Sequence, residues 1–120
     1  MKIPRNAALL RIYLGETQTA EGRPLFETIV LKAREMGMAG ATVVRGPMGF
    51  GERSILHTAK VLRLSEDLPM IIEIVDDRAK IDKFAPVIGP MVSSGLVTIE
   101  QVEVLQYGDN SDGRAKDSKD

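Results

Sequence analysis

The sequence of 120 residues has no cysteine, no tryptophan and a single histidine. The lack of cysteine excludes disulfides, a thiolate nucleophile and a cysteine zinc site, and one histidine leaves little for an imidazole metal cage. A strong charge of one sign is also missing, because sixteen Lys and Arg stand against seventeen Asp and Glu, which argues against a nucleic-acid partner. No apolar run approaches the roughly 18 residues of a membrane-spanning helix. We therefore expect a cytoplasmic protein with no metal site and no obligatory cofactor.

What is present suits one globular domain. Hydrophobic residues make up 43% of the chain, enough to supply a core for a protein of this size. The polar run at the C-terminal end has almost no apolar side chain with which to offset the entropy of ordering. The composition predicts a domain over residues 1–108 and a disordered tail over residues 109–120.

Apolar periodicity predicts the secondary structure. Alternation predicts strands over residues 7–14, 41–44 and 96–105. The apolar runs over 55–64 and 68–75 could form one bent strand or two strands joined at SEDLP, and we favour the bent strand. Stripes at helical spacing predict a helix over about residues 23–36, ended by Gly37, and a second helix that Asp76 or Asp77 caps. Pro86 predicts a kink or a restart in that helix. In the last strand the apolar positions change face, which predicts a bulge near Glu100 and Gln101.

The order strand, helix, strand, strand, helix, strand predicts the fold. Two right-handed crossovers give an α+β ferredoxin-like sandwich, in which a four-stranded antiparallel sheet carries both helices on one face. The first and third strands have apolar side chains for both faces, so the face without helices would expose a large apolar patch. We expect other subunits to cover it in a closed cyclic oligomer, and the pattern does not choose between dimer and trimer.

The loop after the second strand, RGPMGFGER, is the richest local motif. Its glycines, at 46, 49 and 51, let backbone N–H groups approach a ligand, and Arg45 and Arg53 add charge-assisted donors. A phosphate group fits this chemistry, and Arg45, Gly49 and Arg53 are candidates for binding it. The spacing is not that of a P-loop. The alternative interpretation is a hairpin loop whose glycines serve turn geometry.

Other polar residues carry weaker signals. His57 with Ser54 and Asp67 could form a nucleophilic triad, but no nucleophile elbow accompanies them, and a surface strand histidine is the simpler interpretation. Three aspartates could bind a hard cation, although one helix cap and solvated charges also explain them: Asp76, Asp77 and Asp82.

Glu73 lies inside the apolar run MIIEIV. A carboxylate in such a strand is costly unless it is paired, and Arg11 or Lys60 on a neighbouring strand could pair with it. A structural ion pair is favoured here over a catalytic acid.

Several segments resemble the PII-like family catalogued as a domain of unknown function. They are GATVVRG, GFG, HTAK, DLPMIIEIVDD and GLVTIE, and the resemblance covers about residues 7–108. The chain also resembles, more remotely, the nitrogen-signalling PII proteins, in which the second strand, the GFG turn, the IEIV segment and the helix-ending Gly95 follow in the same order.

This resemblance implies a ferredoxin-like homotrimer with nucleotides in clefts between subunits and a loop after the second strand that reports the bound state to a partner. It implies that Thr42, the backbone after GFG at Gly51, and Val75 line the nucleotide pocket. Gly95 is a further candidate for ligand binding. The lysine-bearing phosphate loop of PII proteins is only SSGLVTIE here, so AMP or ADP is favoured over Mg-ATP. Relatives associated with small-ion channels or transporters imply such a membrane protein as the partner.

Three hypotheses follow. The first is a non-enzymatic regulatory trimer that responds to an adenine nucleotide. The second is a small enzyme using the same cleft, with Glu73 or His57 as acid or base. The third is a purely structural trimer that resembles the copper-tolerance proteins.

Overall fold

The computed structural model describes residues 3–49, 57–58 and 68–108. The strands are β1 Asn6–Gly15, β2 Thr19–Ala20, β3 Arg23–Pro24, β4 Thr42–Arg45, β5 Met48–Gly49, β6 His57–Thr58, β7 Pro69–Asp76 and β8 Leu96–Glu103. The helices are α1 Leu25–Glu35 and α2 Arg78–Ile88, and a short 3₁₀ turn, Gly89–Met91, follows α2.

The main sheet has four strands in the order β4-β7-β1-β8, with every neighbouring pair antiparallel. β1 and β7 occupy the centre, and β4 and β8 form the edges. Both helices contact β7, and α2 also contacts β1. This arrangement is the ferredoxin-like α+β fold that the element order predicts.

One face of the sheet lies under the helices, and we call it the covered face. Alternation along β1 and β7 supplies its buried side chains, and α1 and α2 supply the rest of the core. The sheet residues of the covered face are Ala8, Leu10, Ile12, Leu14, Met70, Ile72 and Ile74. The helix residues packed on them include Leu25, Ile29, Ile81, Phe84 and Ile88, each fully buried.

Helix α1 begins two residues later than predicted, because residues 19–24 form a small hairpin that the sequence did not reveal. Thr19 pairs with Pro24, and the turn places Glu21 at φ 55° and Gly22 at φ 79°. The helix ends as predicted at Gly37, whose φ of 74° allows Met38 N–H to bond the Ala33 carbonyl at 3.0 Å. A Schellman motif therefore turns the chain toward β4.

Helix α2 is continuous where the sequence predicts a kink or a restart at Pro86, so the predicted restart is wrong. Asp77 caps it, since its side chain accepts a hydrogen bond from Ala79 N–H, as predicted. The helix then continues through Pro86 to Ile88, and the change to 3₁₀ geometry comes only at Gly89. Packing of the apolar stripe against the sheet therefore outweighs the donor that Pro86 removes.

The bulge predicted in the last strand is wrong. β8 pairs with β1 in unbroken register from Asn6 opposite Glu103 to Tyr13 opposite Leu96. Polar residues at Glu100 and Gln101 are tolerated without a bulge because β8 is an edge strand, where both side chains are exposed.

Two other predictions fall partly or wholly on residues outside the described ranges. The predicted bent strand is described only as β6, which pairs with β5 in a sheet of its own, and as β7 in the main sheet. Residues 59–67 and the predicted disordered tail, 109–120, are outside those ranges.

Candidate functional site

The face of the sheet away from the helices, here called the open face, is built from cross-strand rows of side chains. One row is apolar and crosses all four strands: Val44, Ile71, Tyr13 and Leu96. Its two end members are largely exposed, Val44 at 47% and Leu96 at 56%. Large apolar side chains at this exposure are typical of a surface that another molecule covers.

The next row of the open face is polar and contains the ion pair predicted for Glu73. Thr42, Glu73, Arg11 and Thr98 stand opposite one another in register. Arg11 Nε donates to Glu73 Oε2 at 2.9 Å, and Arg11 Nη1 lies 3.5 Å from Glu100 Oε1. The hydrogen bond to Glu73 raises the pKa of Arg11 above its already high ordinary value, so this guanidinium stays charged at physiological pH.

The structure brings two of the candidate ligand residues together on this face. Thr42, exposed on β4, stands directly opposite Glu73, and Val75 lies two residues further along β7 and is half-buried. Residues in this diagonal relation have Cα atoms roughly 7–8 Å apart. The open face thus presents a hydroxyl and an apolar side chain close together.

Arg45 lies on the other side of the sheet. It stands opposite the buried Met70, and strand alternation puts it on the covered face together with Val43. Its Nη2 is 2.5 Å from Glu16 Oε2. No local pattern indicated Glu16 as this partner, because the two residues are 29 positions apart and meet only through the sheet.

Three glycines are candidates for the ligand site, and the structure describes two of them, Gly49 and Gly95. A Cβ at Gly95 would lie 2.4 Å from the Tyr13 carbonyl oxygen, so the backbones approach closely at this edge. Gly49 pairs with His57 between β5 and β6. Gly51 and Arg53 lie outside the described residues, and their assignment stays a prediction.

The described residues give little support to a catalytic acid at Glu73 or to a metal site. Glu73 is engaged by Arg11, as a structural pair would be. Within residues 3–49, 57–58 and 68–108, no group of three or more His, Cys, Asp or Glu side chains is arranged to hold a metal ion. Over the same ranges, no helix is long and apolar enough to cross a membrane.

Sequence reasoning treated Asp76 only as a helix cap or cation ligand and missed its main role. The side chain is fully buried, and it accepts from Ala39 N–H at 2.9 Å and from Asp77 N–H at 2.7 Å. An acidic residue at the end of an apolar strand was the available signal, but the partner Ala39 is 37 positions away. Asp76 therefore ties the loop before β4 to the end of β7.

Comparison with solved structures places the fold. The chain is similar to CPII, a nitrogen regulatory PII-like protein from Thiomonas intermedia K12 that was solved bound to ADP, AMP and bicarbonate. The TM-score is 0.66 and the sequence identity is 16%, and the match covers 84% of this chain and 90% of CPII. It is also similar to a putative PII-like signaling protein from Thermus thermophilus, with a TM-score of 0.59, 13% identity and coverage of 86% and 93%. The fold is therefore that of PII-like proteins.

Sequence comparison identifies the family. The profile of the DUF190 family, described as "Uncharacterized ACR", matches residues 7–104. A UPF0166 protein of Aquifex aeolicus is 37% identical over 97 residues, which are 81% of this chain and 91% of the relative. A UPF0166 protein of Methanocaldococcus jannaschii is 34% identical over 101 residues, which are 83% and 93%. The chain belongs to this family, as its sequence motifs indicated.

Proposed function

We propose that this protein is a non-enzymatic PII-like regulator that assembles as a homotrimer and binds AMP or ADP in clefts between subunits. The observation that carries the proposal is the placement of Thr42 and Val75 side by side on the open face. The similarity in fold to a PII-like protein solved with ADP and AMP supports the ligand class.

The open face supports assembly. Its apolar row has exposed ends at both sheet edges, and the covering of such a row by identical subunits removes apolar surface from water. Val97 at 39% and Ile99 at 40% are also exposed, but they stand opposite the buried Ile12 and Leu10 and therefore lie on the covered side of the edge strand β8, not on the open face. A ligand seated at Thr42, on the edge strand β4, would then contact two subunits.

The proposed output is a change in the loop from Gly46 to Ser54, which alters the affinity for a partner protein. Its base is anchored, because Gly46 N–H donates to the Pro69 carbonyl at 2.8 Å and Arg45 pairs with Glu16. The proposed partner is the cytosolic face of a membrane channel or transporter, and the proposed location is the cytoplasm. Ligand binding at β4 is then transmitted along one strand to the loop.

The enzyme alternative requires a free acid or base in the cleft. Glu73 does not meet that requirement as long as Arg11 engages its carboxylate at 2.9 Å. The structural alternative, a trimer resembling copper-tolerance proteins, predicts no nucleotide effect at all.

Calorimetric titration with AMP, ADP, ATP, cyclic AMP and 2-oxoglutarate tests the proposal. We expect saturable binding of AMP or ADP near one ligand per subunit, with no phosphate released. The Thr42→Val variant should bind more weakly, whereas Thr19→Val, which removes an exposed hydroxyl from the small hairpin, should bind as the wild type does. Phosphate release would favour the enzyme, and no heat from any ligand would overturn the proposal and favour the structural trimer.

A further inference from the structure

The Asp76 carboxylate is a buried charge with several partners. It lies at the end of β7 on the covered face, fully buried, and two backbone N–H groups and the Lys80 ammonium surround it. Lys80 Nζ is 3.5 Å from Asp76 Oδ2. Burial of a carboxylate is costly, and an apolar side chain of similar size at such a position often stabilises a fold at least equally. A role in fixing geometry accounts better for this group than a role in stability alone.

Three contacts converge on residues 37–39. Lys80 Nζ also donates to the Gly37 carbonyl at 2.5 Å, Asp76 accepts from Ala39 N–H, and the Tyr107 hydroxyl donates to the Ala39 carbonyl at 2.8 Å. The segment is therefore held from β7, from α2 and from the chain that follows β8.

This segment leads directly into the candidate ligand site. Ala39 is three residues before Thr42, and Asp76 follows Val75 in the chain. β4 has only four residues and pairs with β7 alone in the main sheet, so few ladder hydrogen bonds fix its start. The Asp76 contact supplies the missing restraint, because it joins the residue after Val75 to the loop before Thr42.

We propose that Asp76 and Lys80 are positioning residues that set the distance between Thr42 and Val75 for nucleotide binding. They act from the covered face and contact the ligand through neither side chain. The inference rests on the proposed function, and it gives Asp76 and Lys80 a role in ligand binding that neither the sequence motifs nor the open face indicated.

Substitution of Lys80 tests the inference, because Asp76 variants risk unfolding the chain. Lys80→Met removes the contacts to Asp76 and Gly37, and Lys80→Arg retains the charge and a donor. Arg78→Met is the matched control: it removes one positive charge from the same helix, where Arg78 makes an exposed ion pair with Asp82 at 2.9 Å. Each variant is compared by ADP titration well below its melting temperature, with its mass in solution checked.

We expect Lys80→Met to weaken ADP binding about tenfold, Lys80→Arg to restore most of it, and Arg78→Met to bind as the wild type does. Amide exchange over residues 38–42 should accelerate in Lys80→Met alone. Wild-type affinity in Lys80→Met, or equal weakening in Arg78→Met, would overturn the inference while leaving the proposed function in place. If the wild type itself binds no nucleotide, the proposed function fails, and the positioning inference fails with it.

Discussion

The two faces of the sheet are made by alternate residues of the same strands, yet their chemistry differs. On the covered face, Ile72 and Ile74 are fully buried under the helices. On the open face, Ile71 and Val75 are only half-buried, and Glu73 between them pairs with Arg11. The covered face resembles the interior of any small domain, whereas the open face combines an apolar row with exposed ends and the ion pair between Arg11 and Glu73. That combination is typical of a surface that contacts other molecules.

The largest expected effect is a difference in stability between substitutions at two neighbouring residues that lie on opposite faces of the sheet, Ile72 and Ile71. Ile72→Ala should lower the free energy of unfolding by about 2–5 kcal/mol, because it leaves a cavity in a fully buried site. Ile71→Ala should affect unfolding much less and should mainly shift the oligomer toward smaller species on dilution. Urea denaturation with light scattering measures both, and equal destabilisation without any change in mass would contradict the contrast.

A substitution at Gly95 tests whether the close approach of the β1 and β8 backbones at this edge of the sheet excludes a side chain. Gly95→Ala places a methyl group 2.4 Å from the Tyr13 carbonyl oxygen, so the backbone must shift. The cost should be about 1–3 kcal/mol, as for overpacked sites. Gly40→Ala is the control, since its Cβ would meet nothing within 4 Å. Thermal melts of the two variants should differ clearly, and similar melting temperatures would show that this edge tolerates a side chain.

Arg45 tests whether the ligand site extends from the open face to the base of the loop. Arg45→Ala should weaken ADP binding by about 1.5 kcal/mol, the low end for a charged hydrogen bond, because Glu16 competes for the guanidinium. Glu16→Gln should strengthen binding for the same reason. Unchanged affinity in both variants, with the oligomer intact, would confine the site to the open face.

The Arg11 and Glu73 pair tests whether the open face becomes buried on assembly. If subunits cover it, Glu73→Gln leaves Arg11 with a weaker partner in a drier site, and the concentration at which the oligomer half-dissociates should rise about tenfold. The control is Asp82→Asn in the exposed pair with Arg78. A dilution series in which the two variants behave alike would show that the open face stays in water.

The smallest effect concerns neither face. Deletion of residues 109–120 should leave the melting temperature, the mass and the nucleotide affinity unchanged, because this segment has no apolar anchor beyond one alanine. A shift in any of the three would show that the tail contacts the domain.

Much of the fold could be predicted from local patterns. Alternation placed β1 and β7 within one residue, and the apolar stripe of α1 placed that helix within two residues, because burial on one face leaves a direct mark on the sequence. The end predicted for the second helix at Gly95 is wrong, since α2 ends at Ile88. The hairpin before α1 left no such mark, since its turn puts Glu21 at a positive φ that favours glycine or asparagine. β8 lacks the predicted bulge, and α2 continues through Pro86. Both outcomes depend on tertiary packing, which cannot be predicted from single residues.

The candidate site was less predictable than the fold. Sequence motifs named Thr42 and Val75, but only the register of β4, β7 and β1 shows that they share a face with Arg11 and that Arg45 does not. The contacts made by Asp76 with Ala39 and by Arg45 with Glu16 join residues 37 and 29 positions apart. Such pairs depend on strand order and register, which one sequence does not encode in any local pattern.

The mass of the native protein in solution, measured by light scattering at the concentrations used for nucleotide titration, tests the proposed assembly most directly. We expect about three times the chain mass of 13.1 kDa, because the open face needs a cover and the proposed ligand cleft lies between subunits. A mass of one chain would contradict this assembly, since neither the buried open face nor the cleft would then exist.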